Sequence, residues 1–176
     1  MQKILGLALI MMCLSSTQAF GASDAIKVFA GFMNGVIHKD NLNYLMGCMN
    51  GTSAIVVDIE NMVTHFSQSD LMNIGYGIMD VGKFLQDLPP ACYYCDGIPE
   101  DFQKLGEFFS IFGNFTQLTS RVTYNLLWHY TEIKTDINEA MTEWNAEQYY
   151  DFGTDIGEAL VLAVGDDSAT KKILFE

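Results

Sequence analysis

Apolar residues recur at helical spacing along almost the whole chain, and proline is confined to positions 89, 90 and 99. Ile55, Ile59, Met62, Val63 and Phe66 fall at i, i+4, i+7, i+8 and i+11, the buried stripe of an amphipathic helix. Ile133, Ile137, Ala140, Met141 and Trp144 fall at the same intervals 78 residues later. The helices that follow match at the same offset. Leu71, Ile74, Gly75, Ile78 and Val81 correspond to Tyr149, Phe152, Gly153, Ile156 and Ala159, while Asp58 corresponds to Asp136 and Thr64 to Thr142. Ser67 and Asn145 stand at equivalent places as N-caps, followed three residues later by Asp70 and Gln148. The pattern predicts a duplicated helical hairpin, with copies at about 54–88 and 132–166.

Further helices complete the picture. Residues 25–37 form an amphipathic helix that 38–41 breaks or bends, and 42–49 resumes it. Pro89-Pro90 ends the first hairpin, and 92–101 is a linker. Glu100, Asp101 and Glu107 favour a helix start near 101, where carboxylates suit the macrodipole. Leu118, Val122, Leu126, Tyr130, Ile133 and Ile137 trace one long helix of roughly 28 residues. The expected fold is all-α: one domain over 20–176, a five- to six-helix bundle around the duplicated hairpin.

Charge narrows the partners. Nine Lys and Arg face 22 Asp and Glu, a formal charge of −13 that excludes a nucleic-acid binder. Hydrophobic residues make up 49% of the chain, enough for a packed core and against disorder. Residues 1–19 read as a signal peptide. Lys3 is the positive end, Ile4 to Leu14 the apolar run, and Thr17-Gln18-Ala19 the cleavage signal before Phe20, with Ala22 as an alternative −1 residue. Eleven apolar residues rise only about 16 Å as a helix, too short for a bilayer core of about 30 Å. Cleavage takes the charge from −13 to −14 and leaves a chain without a membrane span, secreted or in the lumen of the secretory pathway. Asn50-Gly51-Thr52 and Asn114-Phe115-Thr116 are glycosylation sequons, placing glycans on Asn50 and Asn114.

Cleavage also leaves three cysteines in an oxidising compartment: Cys48, Cys92 and Cys95. A bridge from Cys48 to either of the others would close a loop of about 45 residues, worth roughly 3–4 kcal/mol by chain entropy. A redox Cys92-x-x-Cys95 wants its first cysteine at a helix N-terminus after a strand, and here Pro-Pro precedes it. No fourth ligand completes a zinc site. Gly31 with Gly35, Gly153 with Gly157, and Gly75 with Gly82 each share a helix face, predicting close approach of neighbouring helices.

Catalytic signals are missing. No phosphate loop, dinucleotide loop, EF-hand, Glu-x-x-His pair or Gly-x-Ser-x-Gly elbow occurs, so no catalytic, cofactor or metal residue is assigned. Asp151, Asp155 and Glu158 line one helix face and read as a solvated one, with weak Ca²⁺ collection as the functional alternative. Asp58 and Asp136 flank the buried stripes. Each is expected to stand alone in its hairpin, compensated by a donor or a cation. Tyr93, Tyr94, Tyr149, Tyr150, Phe108, Phe109 and Phe112, with many methionines, exceed what one stripe per helix needs.

Phe29-Ala30-Gly31-Phe32, Gly35 and Cys48, then Leu88-Pro89-Pro90-Ala91-Cys92, then Trp144, Tyr149-Tyr150, Phe152-Gly153 and Ile156-Gly157 resemble a group of small secreted helical proteins of ciliated protozoa. The resemblance implies the helical fold and export, and no activity. The reading that follows is a secreted or vesicle-luminal, non-enzymatic protein acting by binding or assembly, with an unidentified protein partner or a second copy. A carrier of a small apolar or lipid-like ligand is second, and a hydrolase third.

Overall fold

The structure is a computed structural model that describes residues 19–51, 53–95, 99–113 and 115–165. Nearly all of the signal-peptide segment and the Asn114 sequon lie outside these residues. Seven α-helices are present among the described residues, and no strand: α1 Ala22–Ile37, α2 Leu42–Cys48, α3 Ser53–Phe66, α4 Leu71–Ala91, α5 Pro99–Ser110, α6 Phe115–Asn145 and α7 Tyr149–Val164. A 3₁₀ turn, Ile111–Gly113, precedes α6.

The count exceeds the expected five or six because the break at 38–41 is complete. His38 adopts a left-handed conformation (φ 54°) and its N–H closes α1 on the Asn34 carbonyl. The Leu42 N–H then donates to the Asp40 carboxylate at 3.0 Å, and α2 starts afresh. Pro89 and Pro90 do not end α4, which runs to Ala91 with both rings in its final turn. There each proline removes only one closing hydrogen bond, and the Cys92 N–H still reaches Leu88 O at 3.1 Å. The long helix α6 is not continuous either. His129 leaves helical geometry (φ −111°, ψ 19°), so the helix kinks there and a second rod leads into the last turn.

Two hairpins, α3–α4 and the second half of α6 with α7, share their turn geometry 78 positions apart. Ser69 and Glu147 are both left-handed (φ 53° and 59°). The Ser69 N–H donates to Phe66 O and the Glu147 N–H to Trp144 O, both at 3.1 Å. Ile74 and Phe152 donate to Asp70 O and Gln148 O at 2.9 and 3.0 Å. The Thr64 and Thr142 hydroxyls each donate back to the carbonyl four residues earlier. The caps, however, are not Ser67 and Asn145. Ser67 donates its hydroxyl to Thr64 O within the end of α3, and Asn145 is the last residue of α6. The chain turns only at the left-handed residue two positions on. Asp70 therefore caps α4, accepting from Met72 and Asn73 N–H, while Gln148 makes no side-chain cap.

Helix α1 joins the bundle through glycine. A Cβ at Gly31 would collide with the Tyr150 carbonyl, one at Gly35 with the Thr154 carbonyl, and one at Gly153 with the Val28 carbonyl. Gly157 lies against the Gly35 backbone, so α1 and α7 meet backbone to backbone along both glycine pairs. The expected third pair forms no such seam. Gly75 faces open space, and the nearest neighbour of Gly82 is the Phe112 ring. A core of buried apolar side chains completes the bundle, with Phe29 and Phe32 both packed edge-on against Phe84 at centroid distances of 6.1 and 6.2 Å.

Candidate functional site

The candidate site is on the surface. Between α4 and α6 runs an apolar groove of about 690 Å³. Met79, Val122 and Leu126 form its floor, with Leu71, Met72, Tyr76 and Leu127 along its walls. Solvent reaches much of this apolar surface: Met72 is 67% exposed, Leu127 69% and neighbouring Trp128 72%. Tyr124 packs against Trp128 at 6.2 Å between centroids and extends the patch. Monomeric proteins rarely leave so many large apolar groups together in water without a use for them. The helices produce it simply. Val122 and Leu126 belong to the buried stripe of α6, whereas Tyr124, Leu127 and Trp128 lie on its other side, a second apolar face that the stripe does not explain.

Of the aromatic surplus read from the sequence, Phe108 and Phe112 are core residues, and Tyr149 and Tyr150 are half-buried against it. Tyr93 and Tyr94 are exposed, stacked edge-on at 5.0 Å after α4. The side chain of Phe109 lies outside the description. The larger patch, carried by Leu127 and Trp128, escaped the sequence reading. Its signal was available as apolar residues off the stripe of a helix that otherwise alternates cleanly.

The cysteines converge at one end of the first hairpin. Cys48 and Cys95 form a disulfide, with Cα atoms 5.1 Å apart, tying α2 to the chain just beyond α4. Cys92 remains a thiol, and burial pushes it up to about 11, which keeps it protonated and unreactive at neutral pH. Asn50 is exposed between α2 and α3.

Two sets of carboxylates are partly withdrawn from water. Asp58 is buried and receives Lys83 Nζ at 2.5 Å, while the same ammonium reaches Asp87 at 2.9 Å. Burial raises the Asp58 carboxyl, against the pull of Lys83; the Lys83 hydrogen bond holds Asp87 low. The second set lies between α6 and α7. Asp136, half-buried, is raised by burial and then by the charges of Glu158, Glu139 and Glu132. Asp155 is pushed up to about 7, by burial first and then by the charge of Glu143, with which it also shares a hydrogen bond. Asp58 and Asp136 lie one per hairpin; Asp58 meets Lys83, whereas the charges that act on Asp136 are Glu158, Glu139 and Glu132. The face carrying Asp151, Asp155 and Glu158 is not simply solvated, because Asp155 turns into the helix contact. Among the described residues no group of three or more His, Cys, Asp and Glu is arranged to hold a metal ion. No described helix is long and apolar enough to cross a membrane.

The family model for SctB-like proteins, described as secreted protein B-like, matches residues 12–162. The chain belongs to the SctB-like family. That match spans both hairpins, the disulfide and the apolar groove. No curated protein and no solved structure matches the chain. The family description agrees with a secreted or luminal location, and this SctB-like protein is a secreted, all-helical bundle with an internal disulfide.

Proposed function

We propose that this protein acts outside the cytosol as a non-enzymatic binding or assembly module, and that the α4–α6 face is the surface through which it does so. The observation that carries the reading is the exposure of Leu71, Met72, Tyr76 and Leu127 along one apolar groove, with Tyr124 and Trp128 exposed next to it on α6. A net charge of −13 makes uncontrolled association unfavourable, so an apolar face on such a chain concentrates contact in one place. Cleavage of 1–19, glycans at Asn50 and Asn114, and descent of the two hairpins from one duplicated unit belong to the same proposal. The matched left-handed turns at 69 and 147 and the matched threonine hydrogen bonds support the duplication.

Sedimentation velocity of the purified protein across micromolar concentrations, beside Leu127→Asp/Met72→Asp, tests it. Reversible self-association or partner binding that the double variant abolishes is the expected result. Association that survives unchanged in the variant would overturn the choice of face. The second reading, a carrier, is favoured by the groove's volume, which suits a small apolar molecule. Native mass spectrometry that finds such a molecule on the wild type and not on the variant would select it.

A further inference from the structure

The interface of α6 with α7 brings together groups that should repel. Asp155 on α7 and Glu143 on α6 are within hydrogen-bond reach of each other. Two carboxylates can share a hydrogen bond only when one of them carries a proton. Glu143 Oε2 is sealed from solvent with no hydrogen-bond partner, so water does not disperse the charge there. We propose that a proton held between Glu143 and Asp155 clasps the second hairpin, and that the clasp closes in mildly acid solution and loosens as the solution becomes neutral to alkaline.

The surroundings offer little to offset the pair. From α6, Glu139 adds negative charge to both residues. From α7, Asp151 faces Glu143 and Glu158 faces Asp155. Further along the seam, Glu132, Asp136 and Glu158 line a cleft with His38, which follows α1. Elsewhere on α1, the helix packed on the other side of α7, Lys27 pairs with Asp24 at 2.8 Å and lies over the Tyr149 ring. Beyond α1, Asp40 bonds Tyr150. On α6 itself His129 pairs with Glu132 at 2.9 Å, and Lys134 sits over Tyr130 and acts on Asp70. Next to α3, Ser69 bonds Asn138 of α6 at 3.0 Å, and His65 of α3 bonds Asp80 of α4.

The direction of the effect follows from proton counting. Asp155 is raised from an ordinary 3.8 to about 7 in the folded chain. Between those values the folded protein binds more protons than the unfolded one, so stability falls as pH rises. Glu143 and Asp136, also raised, act in the same sense. This device is independent of the apolar face and stands or falls without it.

Thermal unfolding of the purified protein at constant ionic strength, from pH 5 to pH 8, reads it. The midpoint should drop by roughly 3–6 °C over that range. Asp155→Asn, which keeps a donor for Glu143, should raise the midpoint at pH 8 and at least halve the slope. Glu143→Gln should do likewise, while Glu60→Gln, an exposed acid on α3, should leave the slope intact. Carboxyl ¹³C NMR of the wild type should show Asp155 titrating near 7, a reading that needs no variant to fold. A midpoint that is flat or rises toward pH 8, a slope unchanged by Asp155→Asn, or a titration below pH 5 would each overturn the clasp.

Discussion

The two hairpins share a turn and a buried stripe but solve the problem of charge in opposite ways. In α3–α4, His65 bonds Asp80 and Lys83 bridges the buried Asp58 to Asp87. The positions 78 residues later hold Glu143, Glu158, Val161 and Asp136. The imidazole bonded to a carboxylate has been replaced by a carboxylate on each helix, and the lysine by an apolar residue; Glu143 meets Asp155 instead. The hairpins also differ in what surrounds them. The second lies against α1 through glycine, whereas in the first Gly75, the counterpart of Gly153, meets nothing, and the hairpin is secured by a disulfide beyond α4. A common backbone plan thus constrains very little about where charge and contact go. The side chains around it decide whether a hairpin's buried acid is paired with a cation and the hairpin stapled, or proton-dependent and docked.

Removing the staple should have the largest effect. Cys48→Ser/Cys95→Ser opens a loop with a sequence separation of 47, which chain entropy values at about 4 kcal/mol. Denaturant unfolding should show that loss against wild type. Both cysteines are replaced so that Cys92 cannot form a substitute bridge. A loss below about 1 kcal/mol would mean that the first hairpin holds without its tie.

The glycines provide the sharper contrast, because Gly75 and Gly153 stand 78 positions apart in otherwise similar helices. A Cβ at position 153 meets the Val28 carbonyl, so α1 and α7 must separate, with overpacking of about 3 kcal/mol and the loss of the seam. A Cβ at 75 meets nothing within 4 Å. There Gly75→Ala should stabilise α4 by about 0.5–1 kcal/mol through helix propensity alone. Chemical denaturation of the two variants should therefore give opposite signs. The same sign at both positions would erase the distinction between a docked and an open hairpin face.

How much of this could be read beforehand depends on the length scale of the signal. Apolar periodicity is local, so the helices, both hairpins and close approach at Gly31/Gly35 and at Gly153/Gly157 were legible, though not that these two pairs meet each other. The turns were misplaced by up to three residues because Ser67 and Asn145 are good capping residues that happen to lie at helix ends, with Asp70 as the acceptor that matters. The kink at His129 leaves no mark in the apolar stripe, which passes through it from Leu126 to Ile133. The surface groove and the acid pair are relations between helices. Glu132, Asp136, Glu139 and Glu143 recur at i, i+4, i+7 and i+11, a stripe as regular as any apolar one. Its meaning appears only when Asp151, Asp155 and Glu158 are set against it, and pairing of that kind requires knowing which faces meet.

The smallest of the three losses bears most directly on how the first hairpin compensates its buried acid. Lys83→Met retains the aliphatic stem and removes the ammonium that compensates Asp58. A buried carboxylate left without its cation costs about 3–5 kcal/mol. Here the lysine is 59% exposed, so solvent screens part of the interaction and the expected loss is about 2 kcal/mol at neutral pH. The pH dependence then carries the argument. With Lys83 gone, burial and the neighbouring Asp87 act on Asp58 unopposed, and its raised carboxyl climbs further. The folded chain would hold a proton there that the unfolded chain releases, so the variant's stability should fall more steeply with rising pH than that of the wild type. The first hairpin would then behave like the second. If the midpoint of Lys83→Met instead tracked that of the wild type from pH 5 to pH 8, Lys83 would be a surface ammonium of no consequence to Asp58, and the two hairpins would differ in residues without differing in physics.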